Sequence, residues 1–118
     1  MLTGLATALT LLVALSHFGF MVLESVLWTR PQGQKIFGNT PEQAEQTRVL
    51  AANQGIYNGC LGAVLLWSVA AADTPATMVL LGFVVVVGVY GGATASRLIL
   101  LVQAAPALLA LVLTALAA

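Results

Sequence analysis

The chain has 118 residues, of which 60% are hydrophobic and only 7% charged, and its formal net charge is zero. A water-soluble domain carries about 25% charged residues, so this composition excludes an ordinary soluble globule, and the absence of a basic excess argues against a nucleic-acid partner. A single cysteine, Cys60, excludes an intrachain disulfide and an all-cysteine metal cage.

The first apolar stretch runs from Met1 to Trp28. It lacks a basic segment ahead of the apolar run, exceeds a typical signal-peptide core, and contains His17 and Glu24, so it reads as a retained first membrane helix over residues 2–28. Such a helix would be about 40 Å long against a hydrocarbon core of about 30 Å, with Trp28 as an interfacial anchor. Residues 29–39, TRPQGQKIFGN, contain Pro31, Gly33 and Gly38 and read as a loop. The second helix is expected over 41–72. Thr40 suits its N-cap, Pro41 its first position, and Gln43 completes a capping box. This start lies well before the apolar part, which places Glu42, Glu45 and Arg48 in water or at the interface.

The segment Ala72-Asp73-Thr74-Pro75 is a short turn, followed by a third helix over 76–93. The valines of that helix do not argue for a strand, because an open sheet edge is not viable in lipid. A short linker around 91–97 leads to a fourth helix over 98–117, in which Pro106 removes a backbone donor and should introduce a kink. The fold class is therefore an all-α membrane protein. One four-helix transmembrane domain over 1–118 is expected, an antiparallel bundle with a cytoplasmic loop between helices 1 and 2. Arg30, Lys35, Arg48 and Arg97 all fall in the first and third connections. Cytoplasmic loops carry the excess of Lys and Arg, which predicts segments 29–48 and 91–97 inside and both termini outside.

Polar residues within the spans are the candidates for function, because ionisable groups at bilayer depth are costly and face the bundle interior or a cavity. Thr3, Thr7, Thr10, His17 and Glu24 fall on one stripe of the first helix. His17 and Glu24 point within about 20° of each other and lie about 10 Å apart along the axis. In AANQGIYNG the second helix carries Asn53, Gln54, Tyr57 and Asn58 over about 140° of arc, with Gly55, Gly59 and Gly62 on the opposite side. Gly88 and Gly92 repeat the glycine pattern on the third helix, and the fourth adds Gln103. Such glycine spacing lets helices approach closely, within one chain or between copies in a homo-oligomer.

Counted from the cytoplasmic ends, the polar residues crowd one half of the bundle, whereas the outer halves of helices 2–4 read as nearly aliphatic. This pattern predicts a polar pocket open to the cytoplasm. Glu24 and His17 are its candidate acid–base residues, and Asn53, Gln54, Tyr57, Asn58, Gln103 and Arg97 its candidate ligand-binding residues. Proton transfer is chemically available to such a pair. The bland reading stands beside it: the amides are interhelical glue, and Glu24 snorkels or pairs with Arg97. His17, Glu24 and Cys60 include no close-spaced ligand pair such as His-x-x-x-His, so no metal is expected. The residues name no cofactor.

Three functions follow: binding or modification of an amphipathic small molecule or lipid, a transporter or channel subunit, or an assembly protein without a catalytic site. A transporter needs a polar route through the outer half, where the sequence offers only Thr3, Thr7 and Thr10 on the first helix.

The runs WTRPQGQKIFG and AANQGIYNG, the segments VYGGATASR and VQAAPALLAL, and the His17–Glu24 helix resemble a bacterial family of small integral membrane proteins known as domain of unknown function thirteen-oh-four. The resemblance extends over nearly the whole chain. It implies a multi-pass protein of the bacterial plasma (inner) membrane and supplies no reaction. Four helices with a polar opening to the second are also loosely similar to the membrane-associated eicosanoid and glutathione metabolism proteins, which are oligomers acting on glutathione or lipid. Their arginine-rich second-helix motif is not matched, since only Arg48 precedes Asn53.

Overall fold

A computed structural model describes residues 1–118 in full. The chain is all-helical, with α1 (Leu2–Ser25), α2 (Pro31–Phe37), α3 (Pro41–Gln46), α4 (Arg48–Ala70), α5 (Thr74–Thr94), a π-helical turn (Leu100–Ala104) and α6 (Ala105–Ala117). Four of its helical stretches are long and apolar enough to cross a membrane: Leu2–Ser25, Arg48–Ala70, Thr74–Thr94 and Leu100–Ala117. It divides into two compact units, Ser16–Gly62 and the combination of Met1–Leu15 with Ala63–Ala118.

In the unit Ser16–Gly62, α1 ends at Ser25, three residues before the expected boundary at Trp28. The segment read as a loop is mostly helix. Pro31 occupies the start of α2, where its missing N–H costs nothing, and Gly38 ends the helix in the left-handed region at φ 68°, donating its N–H to the Gln34 carbonyl. The residues that signal a loop are here the punctuation of a seven-residue helix. Gly33 is required by contact: a Cβ there would overlap the Leu27 carbonyl oxygen.

The capping box forms as its spacing predicts. Thr40 Oγ1 accepts from the Gln43 N–H at 3.2 Å, and Gln43 Oε1 accepts from the Thr40 N–H at 2.9 Å. The expected single helix over 41–72 is instead divided at Thr47 (φ −103°, ψ 4°). Thr47 Oγ1 donates to the Gln43 carbonyl at 2.8 Å and accepts from Trp28 Nε1 at 3.0 Å. A threonine bonding back to the preceding turn bends a helix, and the indole holds it in that arrangement. Trp28 also packs on Phe37, ring centroids 4.7 Å apart.

In the other unit the buried residues are mostly small or aliphatic, among them Ala6, Val13, Leu65, Leu81, Val84, Ala104, Ala107 and Ala110. Gly88 lets α5 meet the π-helical turn, because a Cβ there would stand 2.9 Å from the Ala104 nitrogen and 3.0 Å from its Cα. A Cβ at Gly92 would overlap the Leu100 side chain. The kink expected from Pro106 takes the form of the π turn. Proline lacks the N–H that residue 102 would otherwise receive, and its ring crowds that carbonyl. The Ala105 N–H bonds to the Leu100 carbonyl, five residues back, which widens the turn just ahead of the proline.

Candidate functional site

The Glu24 site is built by close approach of α1 and α4. A Cβ on Gly55 would overlap Ser25 Oγ and stand 3.0 Å from the Met21 carbonyl oxygen, and a Cβ on Gly59 would overlap the Met21 sulfur. Both glycines are buried. With no side chain of its own at these two positions, α4 lies directly on the last turns of α1. Asn58, between the two contacts, then reaches Glu24, and its Nδ2 donates to both carboxylate oxygens at 3.2 Å. Both glycine faces noted in the sequence, Gly55/Gly59 and Gly88/Gly92, are thus spent inside the chain.

The Glu24 carboxylate is half-buried. Ionised, it offers about four lone-pair positions, and a single amide nitrogen serves both oxygens. No cation of the Ser16–Gly62 unit reaches it: Arg48 pairs with Glu45 at 3.1 Å, and Arg30 and Lys35 are exposed. Next in sequence, Ser25 Oγ is buried without a hydrogen-bond partner.

The other polar residues expected around this carboxylate are spread out. His17 is buried on the same helix, edge-on to Phe20 with centroids 5.3 Å apart. Seven residues from Glu24, it lies about 10 Å away along the axis. Asn53 is exposed, and its amide donates back to the Val49 carbonyl at 2.8 Å. Gln54 is exposed, and Tyr57 is 72% exposed. Of the four polar residues of AANQGIYNG, only Asn58 meets Glu24. Arg97 and Gln103 belong to the other unit, Arg97 exposed beyond α5 and Gln103 half-buried in the π turn. No group of three His, Cys, Asp or Glu side chains is gathered as a metal would need.

That other unit contains a cavity of about 200 Å3, and its lining includes Thr3, Thr7, Ser68, Thr74, Thr77 and Thr114. The threonines of the first helix stood out in the sequence. Ser68, Thr77 and Thr114 did not, because each is an isolated hydroxyl in an otherwise apolar helix and only packing brings them together.

No solved structure matches the chain. It is 35% identical over 115 residues to the "Uncharacterized protein YpaA" of Lactococcus lactis subsp. lactis (strain IL1403), an alignment covering 94% of this chain and 97% of that protein. Residues 11–115 match the family model described as "Protein of unknown function (DUF1304)". With most of its length matched, and four membrane-length helices as the resemblance implied, the chain belongs to the DUF1304 family.

Proposed function

We propose that this is a multi-pass protein of the bacterial plasma membrane, an antiparallel four-helix bundle that holds a small amphipathic molecule or a lipid headgroup at Glu24. The observation that carries the reading is the carboxylate itself. It stands on a membrane-length helix, receives hydrogen bonds from one amide nitrogen, and has no cationic partner in its unit. Ionisable side chains at such positions are costly and mark ligand, ion or proton sites. A ligand bearing a hydroxyl or ammonium group would supply the donors that Glu24 lacks, while its apolar body stays in the bilayer. Asn58 orients the carboxylate, and the Gly55–Gly59 seam orients Asn58. His17 stands too far along the helix for direct proton exchange with Glu24, so the geometry supports binding ahead of acid–base chemistry.

The test is the material that co-purifies with the protein from its native membrane. Glu24→Gln keeps the size and can still bond to Asn58, but it cannot ionise. Native mass spectrometry should show the bound species on the wild type and about tenfold less on Glu24→Gln, a loss of about 1.4 kcal/mol in affinity, with thermal stability little changed. Equal occupancy in the two proteins would overturn the proposal.

The proposed orientation puts both termini outside and segments 29–48 and 91–97 in the cytoplasm, following the four cations. Lys35 is exposed on α2. In a Cys60→Ser background, a cysteine introduced by Lys35→Cys should resist a membrane-impermeant maleimide in intact cells and react after lysis. A periplasmic reporter fused after Ala118 should be active. Labelling of position 35 in intact cells would reverse the orientation.

A further inference from the structure

The hydroxyl-lined cavity is a second site, independent of the Glu24 reading. Its residues come from the start of α1 (Thr3, Thr7), the end of α4 (Ser68), the start of α5 (Thr74, Thr77) and the end of α6 (Thr114). Thr3 is exposed, Thr7 and Thr114 are half-buried, and Ser68 is fully buried, so the cavity runs inward from the surface. Between the hydroxyls its walls are alanine and valine, and no ionisable side chain lines it.

The inner hydroxyls already have uses for their protons. Ser68 Oγ donates to the Leu65 carbonyl at 2.8 Å, and Thr114 Oγ1 donates to the Ala110 carbonyl at 2.7 Å. Thr77 Oγ1 has two acceptors at 2.9 Å, Ser68 Oγ and the Asp73 carbonyl, for its single proton. Each of these oxygens therefore has lone pairs left and no proton to give. The Asp73 carboxylate is occupied capping α5 through the Ala76 N–H at 2.9 Å. The inner side chains of the cavity accept hydrogen bonds.

We infer that this cavity binds a hydroxyl-bearing small molecule slightly larger than benzene. The size follows from the volume, since an apolar cavity of about 150 Å3 holds benzene. The hydroxyl follows from the inner lining, where Ser68, Thr77 and Thr114 can accept a hydrogen bond and have no proton to give.

Three probes that share one ring separate the alternatives. Cyclohexanol, cyclohexane and cyclohexylammonium are titrated into the full chain in phosphatidylcholine nanodiscs, with the threonine methyl signals followed by NMR. Cyclohexanol should shift the Thr7, Thr77 and Thr114 signals saturably and at lower concentration than either other probe, with cyclohexane weaker by about tenfold. Thr77→Val removes the hydroxyl at constant shape and should weaken cyclohexanol toward the level of cyclohexane. Thr114→Val, which loses only a bond to its own helix, is the second variant should Thr77→Val fail to fold. Equal binding of cyclohexane would make the cavity a greasy void, and preferred binding of cyclohexylammonium would make it a cation site. Either result, the absence of any saturable shift, or undiminished cyclohexanol binding in the folded variants overturns the inference.

Discussion

Replacing Gly33 with alanine should unseat α2. A Cβ at this position would overlap the Leu27 carbonyl oxygen, stand 2.7 Å from the Leu27 carbonyl carbon, and approach the Trp28 Cα at 3.0 Å. All three atoms are backbone, so no rotamer change relieves the overlap, and the helix itself must move. Inserting a methyl group into a filled space costs about 1–3 kcal/mol. The cost falls on a short helix whose anchors are local. Once α2 lifts, Phe37 leaves the face of Trp28, and the indole that bonds Thr47 loses its support. In a Trp67→Phe background, Trp28 fluorescence should shift to the red, and trypsin should cut faster after Lys35. Gly19→Ala serves as the control, because a Cβ there meets nothing within 4 Å, and it should leave both readouts unchanged. An unchanged Trp28 spectrum in Gly33→Ala would mean that α2 is not held through this contact.

What could be read in the sequence depended on how local each determinant is. The Thr40–Gln43 box spans three residues and involves only its own backbone, so its spacing was enough. Pro31 and Gly38 were equally local but ambiguous: the same pair ends a loop or brackets a seven-residue helix, and so short a segment gives hydrophobic periodicity nothing to act on. Pro106 announced a disturbance, while the choice of a wide π turn over a bend is tied to the contact of Ala104 with Gly88. The glycine spacings on α4 and α5 announced close approach. Which helix approaches is a tertiary matter that the spacing does not contain. At the site, Glu24 was legible because a carboxylate in an apolar run has few bland explanations. Its partner was not. Asn53, Gln54, Tyr57 and Asn58 share one broad arc, and only the contacts of Gly55 and Gly59 with Ser25 and Met21 determine that Asn58 faces α1. The hydroxyl cavity was the least legible feature, since it draws one or two hydroxyls from each of four helices.

Asn58→Leu should destabilise the protein by about 1 kcal/mol, the low end of the cost of leaving a polar group without its partner, because the Glu24 carboxylate is half-buried. Leucine keeps the heavy-atom count and Cγ branch of asparagine but is bulkier, so the double-mutant cycle is needed to isolate the part of the loss that comes from the carboxylate. The double variant Glu24→Leu, Asn58→Leu should recover most of that loss, because replacing both members of a buried polar pair by apolar groups of similar shape is close to neutral. The two substitutions would then be coupled by about 1 kcal/mol or more in a double-mutant cycle, as expected for residues in contact. Stability alone does not separate a ligand site from interhelical glue, since both readings predict this coupling. Occupancy separates them. The double variant should fold as well as the wild type and carry none of the co-purifying species, whereas glue has no species to lose. A silent Asn58→Leu, within about 0.5 kcal/mol of wild type as for a surface change, would show that water already satisfies the carboxylate. Glu24 would then be a snorkelling side chain at the bilayer edge and not a binding residue.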